Sequence, residues 1–110
     1  EAMQRDLSAV IAKYDMAVTG PNSLGFVNFA EQLAPTFSPA IARASLPLLP
    51  ECHEEGGRFA VIAQSGANGF GSYDRGRLRE SPFRYFITPG NEAGLRAFDI
   101  VDYLLDDGET

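Results

Sequence analysis

Two glycine-bearing turns are the parts of this sequence best suited to chemistry. Residues 20–25 read Gly-Pro-Asn-Ser-Leu-Gly and residues 64–67 read Gln-Ser-Gly-Ala, and each turn follows a short apolar run. The second turn also opens onto a helix-like stretch. A strand that ends in a tight turn and feeds a helix leaves the first helical N–H groups without intrahelical partners, at the positive end of the helix dipole. The pattern predicts a phosphate or carboxylate site, and a plain tight connection is the alternative.

The elements that must position these turns follow from the hydrophobic pattern. The predicted helices cover residues 1–14, 67–79 and 95–105, the predicted strands cover residues 16–19, 58–63 and 83–87, and residues 26–29 and 35–39 are shorter extended pieces. The helix over 67–79 contains Gly69, Gly71 and Gly76. Because each glycine costs roughly 1 kcal/mol relative to alanine inside a helix, tertiary packing must hold this helix.

Strand, helix, strand and helix in succession predict right-handed crossovers and a parallel sheet. A ligand is then expected at the carboxyl ends of the strands. An alternative interpretation from the residues alone is a flavodoxin-like domain whose turns bind a mononucleotide such as flavin.

Composition excludes some classes of partner. The chain of 110 residues carries a net charge of −6, which argues against a nucleic-acid partner because such proteins need a basic face. The arginines at 75, 77, 79 and 84 are interpreted as a solvated surface, with binding of cofactor phosphates as the alternative. No apolar run is long enough to cross a bilayer, so no membrane partner is expected.

The single cysteine limits redox and metal chemistry. Cys52 cannot form an internal disulfide, and a cytoplasmic location is expected. His53 stands beside it among acidic residues, but consecutive residues rarely converge on one ion, so no metal site is predicted. Residues 45–57 contain three acidic residues, two prolines and two glycines and are predicted to be a linker. The chain begins in a helical pattern without an initiator Met, and we expect an internal piece of a longer polypeptide.

Three motifs follow one another along the chain: residues 20–25, residues 63–67, and residues 88–93 (Thr-Pro-Gly-Asn-Glu-Ala) with residues 104–110 after them. In order and spacing they resemble the NDP-forming acyl-CoA synthetases, a family related to the α chain of succinyl-CoA synthetase. The resemblance covers nearly the whole chain except residues 45–57. Ser23 stands where the relatives often have cysteine.

The resemblance implies an α/β fold: part of the flavodoxin-like three-layer parallel sheet of the CoA-ligase type, preceded by the tail of a Rossmann-like CoA-binding domain. Residues 1–44 would be the end of that domain and a crossing segment, 45–57 the linker, and 58–110 the first part of the flavodoxin-like subdomain.

The implied reaction interconverts acyl-CoA, nucleoside diphosphate and phosphate with a carboxylate, CoA and nucleoside triphosphate. Its phosphohistidine lies outside this chain, so no catalytic residue is expected here and the chain alone is expected to be inactive. The implied cofactors are coenzyme A, with ATP/ADP and Mg on other domains. The implied partners are a carboxylic acid or acyl-CoA substrate and an ATP-grasp domain or subunit in an oligomer.

The resemblance also assigns roles to residues. The predicted phosphate-binding residues are Gln64, Ser65 and Gly66, and the predicted substrate-binding residues are Gly20, Pro21, Asn22, Phe70, Gly90, Asn91 and Glu92. For several of them a structural role is the alternative. Asn22 would satisfy its own turn, Asn91 and Glu92 would form a helix N-cap and acidic first turn, and Phe70 would lie in the core.

At the level of the whole protein, the alternative to a working ligase is a degenerate synthetase-like module that senses CoA or serves as a scaffold, for instance fused to an acetyltransferase.

Overall fold

A computed structural model describes residues 2–41, 58–108 and 110 of the chain. In chain order the elements are helix α1 (Ala2–Lys13), strand β1 (Gly25–Asn28), strand β2 (Phe59–Ile62), helix α2 (Gly66–Arg77), strand β3 (Phe83–Thr88) and helix α3 (Ala97–Leu105). The three predicted helices and the predicted strands at 58–63 and 83–87 are therefore present. The predicted linker, with Cys52 and His53, lies outside the described residues.

The three strands form one mixed sheet in the order β1-β3-β2. β2 and β3 pair in parallel and are joined by α2, which is the predicted crossover unit. β1 pairs with β3 in the antiparallel direction, with Gly25 opposite Thr88 and Asn28 opposite Tyr85. The α/β fold and the parallel pairing predicted for β2 and β3 are confirmed. β1, which the sequence indicated only as an extended piece over residues 26–29, makes the sheet mixed because it is antiparallel. The chain enters β1 beside the carboxyl end of β3, so β1 has to run back along it.

The strand predicted over residues 16–19 does not form. Val18 accepts a hydrogen bond from the backbone N–H of Leu95 at 2.9 Å, and Gly20 donates to the carbonyl of Pro89 at 3.0 Å. Both partners lie in the loop after β3 rather than in a strand. The segment is extended enough to bond to the loop after β3, but the backbone hydrogen bonds do not continue into the repeating pattern that defines a pair of strands.

The core joins the sheet to α2 through aromatic side chains. Val27 and Phe86 are fully buried at the centre of β1 and β3. The rings of Phe70 and Tyr73 on α2 each lie 5.6 Å from the ring of Phe86, within the range of favourable aromatic pairs. Phe29 stacks on Tyr73 at 5.5 Å, which extends the cluster past the end of β1.

The glycines of α2 allow the helix to approach the strands closely. A Cβ added at Gly69 would lie 3.0 Å from the Cβ of Ala63, and one added at Gly76 would lie 2.6 Å from Cε2 of the Phe83 ring. Only at Gly71 would it meet nothing within 4 Å. Gly69 and Gly76 are thus explained by contact with the sheet, at the expense of helix propensity.

Helix α3 begins with a capping box. The Arg96 backbone N–H donates to Oδ2 of Asp99 at 2.9 Å, and the Arg96 guanidinium donates to Oδ1 at 2.8 Å. These bonds from Arg96 lower the pKa of Asp99 from its ordinary 3.8 to about 2. The helix start at Ala97 shows that the predicted N-cap role of Asn91 and Glu92 is wrong. In the part of the chain that the structure describes, no helix is both long and apolar enough to span a bilayer.

Candidate functional site

A cleft of about 310 Å³ lies between the two glycine-bearing turns. Its lining residues are Asn22, Ser23, Leu24, Phe37, Gln64, Ser65 and Gly66. The turn at residues 20–25 precedes β1, and the turn at 64–67 follows β2. The fold therefore brings together two motifs that are far apart in the sequence, at the carboxyl end of a parallel strand, where α/β sheets bind ligands.

The start of α2 faces this cleft without a local countercharge. Ser65 is the N-cap residue with φ −87° and ψ 114°, and its side chain makes no capping hydrogen bond. The first turn of α2 contains no acidic residue, whereas the last turn carries Arg75 and Arg77. The positive end of the helix dipole is thus left unneutralised at the cleft, while the negative end is matched by cations. An anion in the cleft would be stabilised by this arrangement.

Gly66 brings the first turn into contact with the start of α2. A Cβ at Gly66 would lie 2.6 Å from Cδ1 and 2.9 Å from Cβ of Leu24, both far inside van der Waals contact. The Leu24 side chain occupies the space that any larger residue at 66 would need. Gly66 was predicted as a phosphate-binding residue, and the structure adds a packing reason for a glycine there.

Asn22 bonds to the neighbouring loop. Its φ of +59° is in the left-handed region, which asparagine adopts more readily than most residues. Its side-chain Nδ2 donates to Oδ1 of Asn91 at 3.3 Å. The side chain therefore links two loops at the edge of the cleft instead of closing its own turn.

The loop after β3 packs directly on the first turn. The backbone N–H groups of Asn91 and Ala93 donate to the carbonyls of Pro21 and Gly20 at 2.8 and 2.9 Å. Gly90 has φ +69°, and a Cβ there would lie 2.9 Å from the carbonyl oxygen of Asn22. The predicted substrate-binding residues of the two loops are thus brought together.

Helix α1 supports this loop from outside. Gln4 Nε2 donates to the carbonyl of Asn91 at 2.7 Å, and Ser8 Oγ donates to the carbonyl of Ala93 at 2.8 Å. The side chain of Ile11 is buried close to Gly94. α1 therefore fixes the loop that carries Asn91, which in turn holds Asn22.

The predicted site residues fall into three groups. Asn22, Gln64, Ser65 and Gly66 line the cleft. A second group lies in the two paired loops next to Asn22 and does not line the cleft: Gly20, Pro21, Gly90, Asn91 and Glu92. Phe70 is separate from both groups, because it is 3% exposed in the core and does not line the cleft. Phe70 therefore lies in the core, which was the structural alternative for this residue.

Three lining residues were not among the predicted site residues. Ser23 and Leu24 lay inside the first motif, next to Asn22. Phe37 is 72% exposed, and the sequence indicated only an extended piece at 35–39. The signal available for Phe37 was a large aromatic residue between Pro35 and Pro39, a setting typical of a surface loop.

The arginines lie away from this cleft. Arg77 pairs with Asp74 at 3.0 Å on the surface, and Arg84 pairs with Asp107 at 3.2 Å with both side chains mostly buried. Arg77 ends α2, at the opposite end of the helix from the cleft. Arg75, Arg77 and Arg79 are exposed, as the interpretation of a solvated surface expects. That interpretation is wrong for Arg84, whose side chain is held against Asp107 and is mostly buried. Within residues 2–41 and 58–108, no group of three or more His, Cys, Asp or Glu side chains is placed to hold a metal ion.

Comparison with known proteins gives consistent matches. Residues 56–110 match the succinyl-CoA ligase like flavodoxin domain. The chain is 31% identical over 106 residues to subunit alpha of the ADP-forming acetate–CoA ligase II of Pyrococcus furiosus, covering 96% of this chain and 20% of the relative. It is 29% identical over 108 residues to the ADP-forming acetate–CoA ligase I of Archaeoglobus fulgidus, covering 98% of this chain and 14% of the relative.

A solved structure is similar over the whole chain. The dinucleotide forming acetyl-coenzyme A synthetase 1 of Ca. Korarchaeum cryptofilum, in complex with phosphate and ADP, superposes with a TM-score of 0.80 at 27% identity. The match covers 100% of this chain and 21% of that protein. The chain thus spans about a fifth, or less, of the length of these relatives.

Proposed function

Because the chain belongs to the family of the succinyl-CoA ligase like flavodoxin domain, we propose that it is part of an acyl-CoA ligase. The proposed reaction converts acyl-CoA, nucleoside diphosphate and phosphate into carboxylate, CoA and nucleoside triphosphate, and is reversible. The phosphorylated histidine and the ATP-grasp domain lie outside this chain, as do the sites for ATP/ADP and Mg²⁺. Coenzyme A is the thiol that leaves when phosphate attacks the acyl-CoA carbonyl.

The observation that carries this proposal is the cleft at the start of α2. Phosphate, acyl phosphate and carboxylate are all anions, and in the proposed reaction all three bind at the same site. The unpaired amides of the first turn of α2 and the hydroxyl of Ser65 would donate hydrogen bonds to their oxygens. Preorganised donors of this kind stabilise the charge that develops during phosphoryl and acyl transfer.

The cleft also has a side suited to the acyl group. Leu24 and Phe37 line it with apolar surface, while Asn22, Gln64 and Ser65 line it with polar groups. We propose that the phosphoryl end of an acyl phosphate lies against the α2 start and that Asn22 faces its acyl or carboxylate end. Asn91 would orient the Asn22 amide through the bond of 3.3 Å between the two side chains.

Support for a ligase over a CoA-sensing or scaffolding module comes from the relatives. The matched proteins are named as acetate–CoA ligases and as an acetyl-coenzyme A synthetase, and one was solved with phosphate and ADP. A flavin-binding domain would be indicated instead if flavin bound at the cleft while phosphate did not.

The test is Ser65→Ala in the intact enzyme. Single-turnover formation of the phosphoenzyme from acyl-CoA and phosphate should slow by about tenfold to a thousandfold, the range for loss of one donor to a developing anion. The stability of α2 should change little, because the Ser65 hydroxyl makes no capping bond.

The matched control is Ser72→Ala. Ser72 lies on the same helix, and its exposed hydroxyl bonds to the carbonyl of Asn68 at 3.0 Å. This variant should retain the rate of the unmodified enzyme. Equal rates in all three proteins would count against the assigned role of the cleft.

A further inference from the structure

Thr88 is a completely buried polar residue at the point where the two sides of the cleft meet. It ends β3 and is 0% exposed. It does not line the cleft, and no motif argument assigned it a role of its own. Its hydroxyl bonds to the turn at residues 20–25, and its methyl group is directed towards Gly69 in the first turn of α2.

The hydroxyl of Thr88 binds the turn. Oγ1 donates to the carbonyl of Gly25 at 2.8 Å and accepts the backbone N–H of Leu24 at 3.1 Å. Ser23 completes the network, because its Oγ donates to the carbonyl of Thr88 and accepts the N–H of Gly25 at 2.8 Å. The backbone just after Asn22 is thus bonded to the last residue of the central strand.

The methyl group of Thr88 faces α2. A Cβ added at Gly69 would lie 3.6 Å from Cγ2 of Thr88, which is ordinary van der Waals contact. Gly69 is in the first turn of α2, directly behind the amides that face the cleft. The hydroxyl therefore bonds to the turn, while the methyl group lies on the α2 side of the strand.

We infer that Thr88 is the positioning residue of the cleft: its hydroxyl holds the turn so that Leu24 stays against Gly66 and the α2 amides keep their geometry towards a bound anion. The nature of that anion rests on the proposed function, but the positioning itself rests on the contacts of Thr88. Without the hydroxyl, the N–H of Leu24 and the carbonyl of Gly25 would lose a buried partner. The turn would then move towards water, and Leu24 would leave Gly66.

Two variants separate the parts of the side chain. Thr88→Val keeps the branched shape and the methyl group but removes the hydroxyl, whereas Thr88→Ser keeps the hydroxyl and removes the methyl. The probe is inorganic phosphate, titrated into the full-length protein at a temperature well below the melting temperature of each variant. Thr88→Val should raise the Kd for phosphate about tenfold or more, as expected when donors are displaced by a fraction of an ångström. Thr88→Ser should stay within about threefold of the parent.

A second measurement distinguishes positioning from a merely structural role. In NMR spectra of the full-length protein, a cross-relaxation signal between the methyl groups of Leu24 and the α protons of Gly66 reports their contact. It should persist in Thr88→Ser and weaken in Thr88→Val. A purely structural role would lower the melting temperature while leaving this signal and the Kd unchanged.

The outcomes separate the inference from the proposed function. If the parent protein binds no phosphate, the proposed function of the cleft fails, and the Leu24–Gly66 signal alone decides on Thr88. If the parent binds phosphate and folded Thr88→Val binds it equally well, the inference is overturned. Should Thr88→Val not fold, Thr88→Ala is compared with Thr88→Ser, since these differ only in the hydroxyl. An equal Kd in that pair also overturns the inference.

Discussion

The same substitution at two glycines of α2 should have opposite effects on the stability of the helix. Gly71→Ala places a methyl group where nothing lies within 4 Å, and Gly76→Ala places it 2.6 Å from Cε2 of Phe83. Neither glycine has a positive φ, so backbone strain does not enter at either position. The comparison isolates the cost of contact with the sheet.

The magnitudes follow from these contacts. Alanine in place of glycine gains about 0.5–1 kcal/mol of helix stability through lower chain entropy in the unfolded state. At position 76 this gain is opposed by overpacking, which costs about 1–3 kcal/mol. The Phe83 ring cannot turn aside freely, because it packs on Phe86 at 5.3 Å and on Tyr73 at 5.8 Å. Because the new methyl group would lie far inside van der Waals contact with Phe83, the upper part of the overpacking range applies. The expected net loss at Gly76 is therefore about 1–2 kcal/mol.

Hydrogen exchange of the α2 amides in the intact protein measures these changes locally. Gly71→Ala should slow exchange about twofold to fivefold, and Gly76→Ala should accelerate it about fivefold to thirtyfold. In a Phe83→Leu background, which removes the ring edge, the effect of Gly76→Ala should fall below about 0.5 kcal/mol. Changes of the same sign and size at both glycines, or no coupling to Phe83, would refute the packing argument.

Two further predictions concern the capping box at the start of α3 and the glycine at position 90. The side-chain carboxyl of Asp99, followed by NMR, should titrate near pH 2, and Arg96→Ala should return its pKa towards 3.8. Because the folded pKa is lowered, the capping contribution is complete above about pH 4 and is lost as the pH falls through 2; a midpoint near 4 in the parent would contradict this. Gly90→Ala should destabilise the protein by about 2 kcal/mol or more, since φ is +69° and the new methyl would meet the carbonyl of Pro21. Gly108→Ala, with nothing within 4 Å, is its control in the same thermal denaturation, and equal melting temperatures would contradict the steric argument.

Much of the local structure was predictable because its causes lie in contiguous residues. The helical period over α1, the apolar run before residue 64 and the proline-glycine turns each describe one segment and its own preferences. The family resemblance likewise depended on short contiguous motifs that occur in a fixed order. Nothing beyond neighbouring residues was needed for these predictions, and the three helices and the β2-α2-β3 unit agree with them.

The errors arose where a segment's partner was distant in the sequence. Residues 16–19 have the composition of a strand, but the carbonyl of Val18 accepts the N–H of Leu95 in the loop after β3 instead of joining a ladder. Asn91 and Glu92 suit a helix start, but the backbone N–H of Asn91 bonds to the distant carbonyl of Pro21. The helix begins only after this loop, at the capping box of Arg96 and Asp99. In each case the local preference was compatible with two structures, and long-range bonds selected one.

The composition and order of the residues were enough to establish an α/β chain with two anion-suited turns and a family likeness. The convergence of those turns on one cleft, the burial of Phe70 away from it, the reversed direction of β1 and the central place of Thr88 came from the packed fold. The physical reason is that propensity and charge act over a few neighbouring residues. The direction of a side chain, the room around a glycine and the choice of a hydrogen-bond partner depend on which remote segments are close in space.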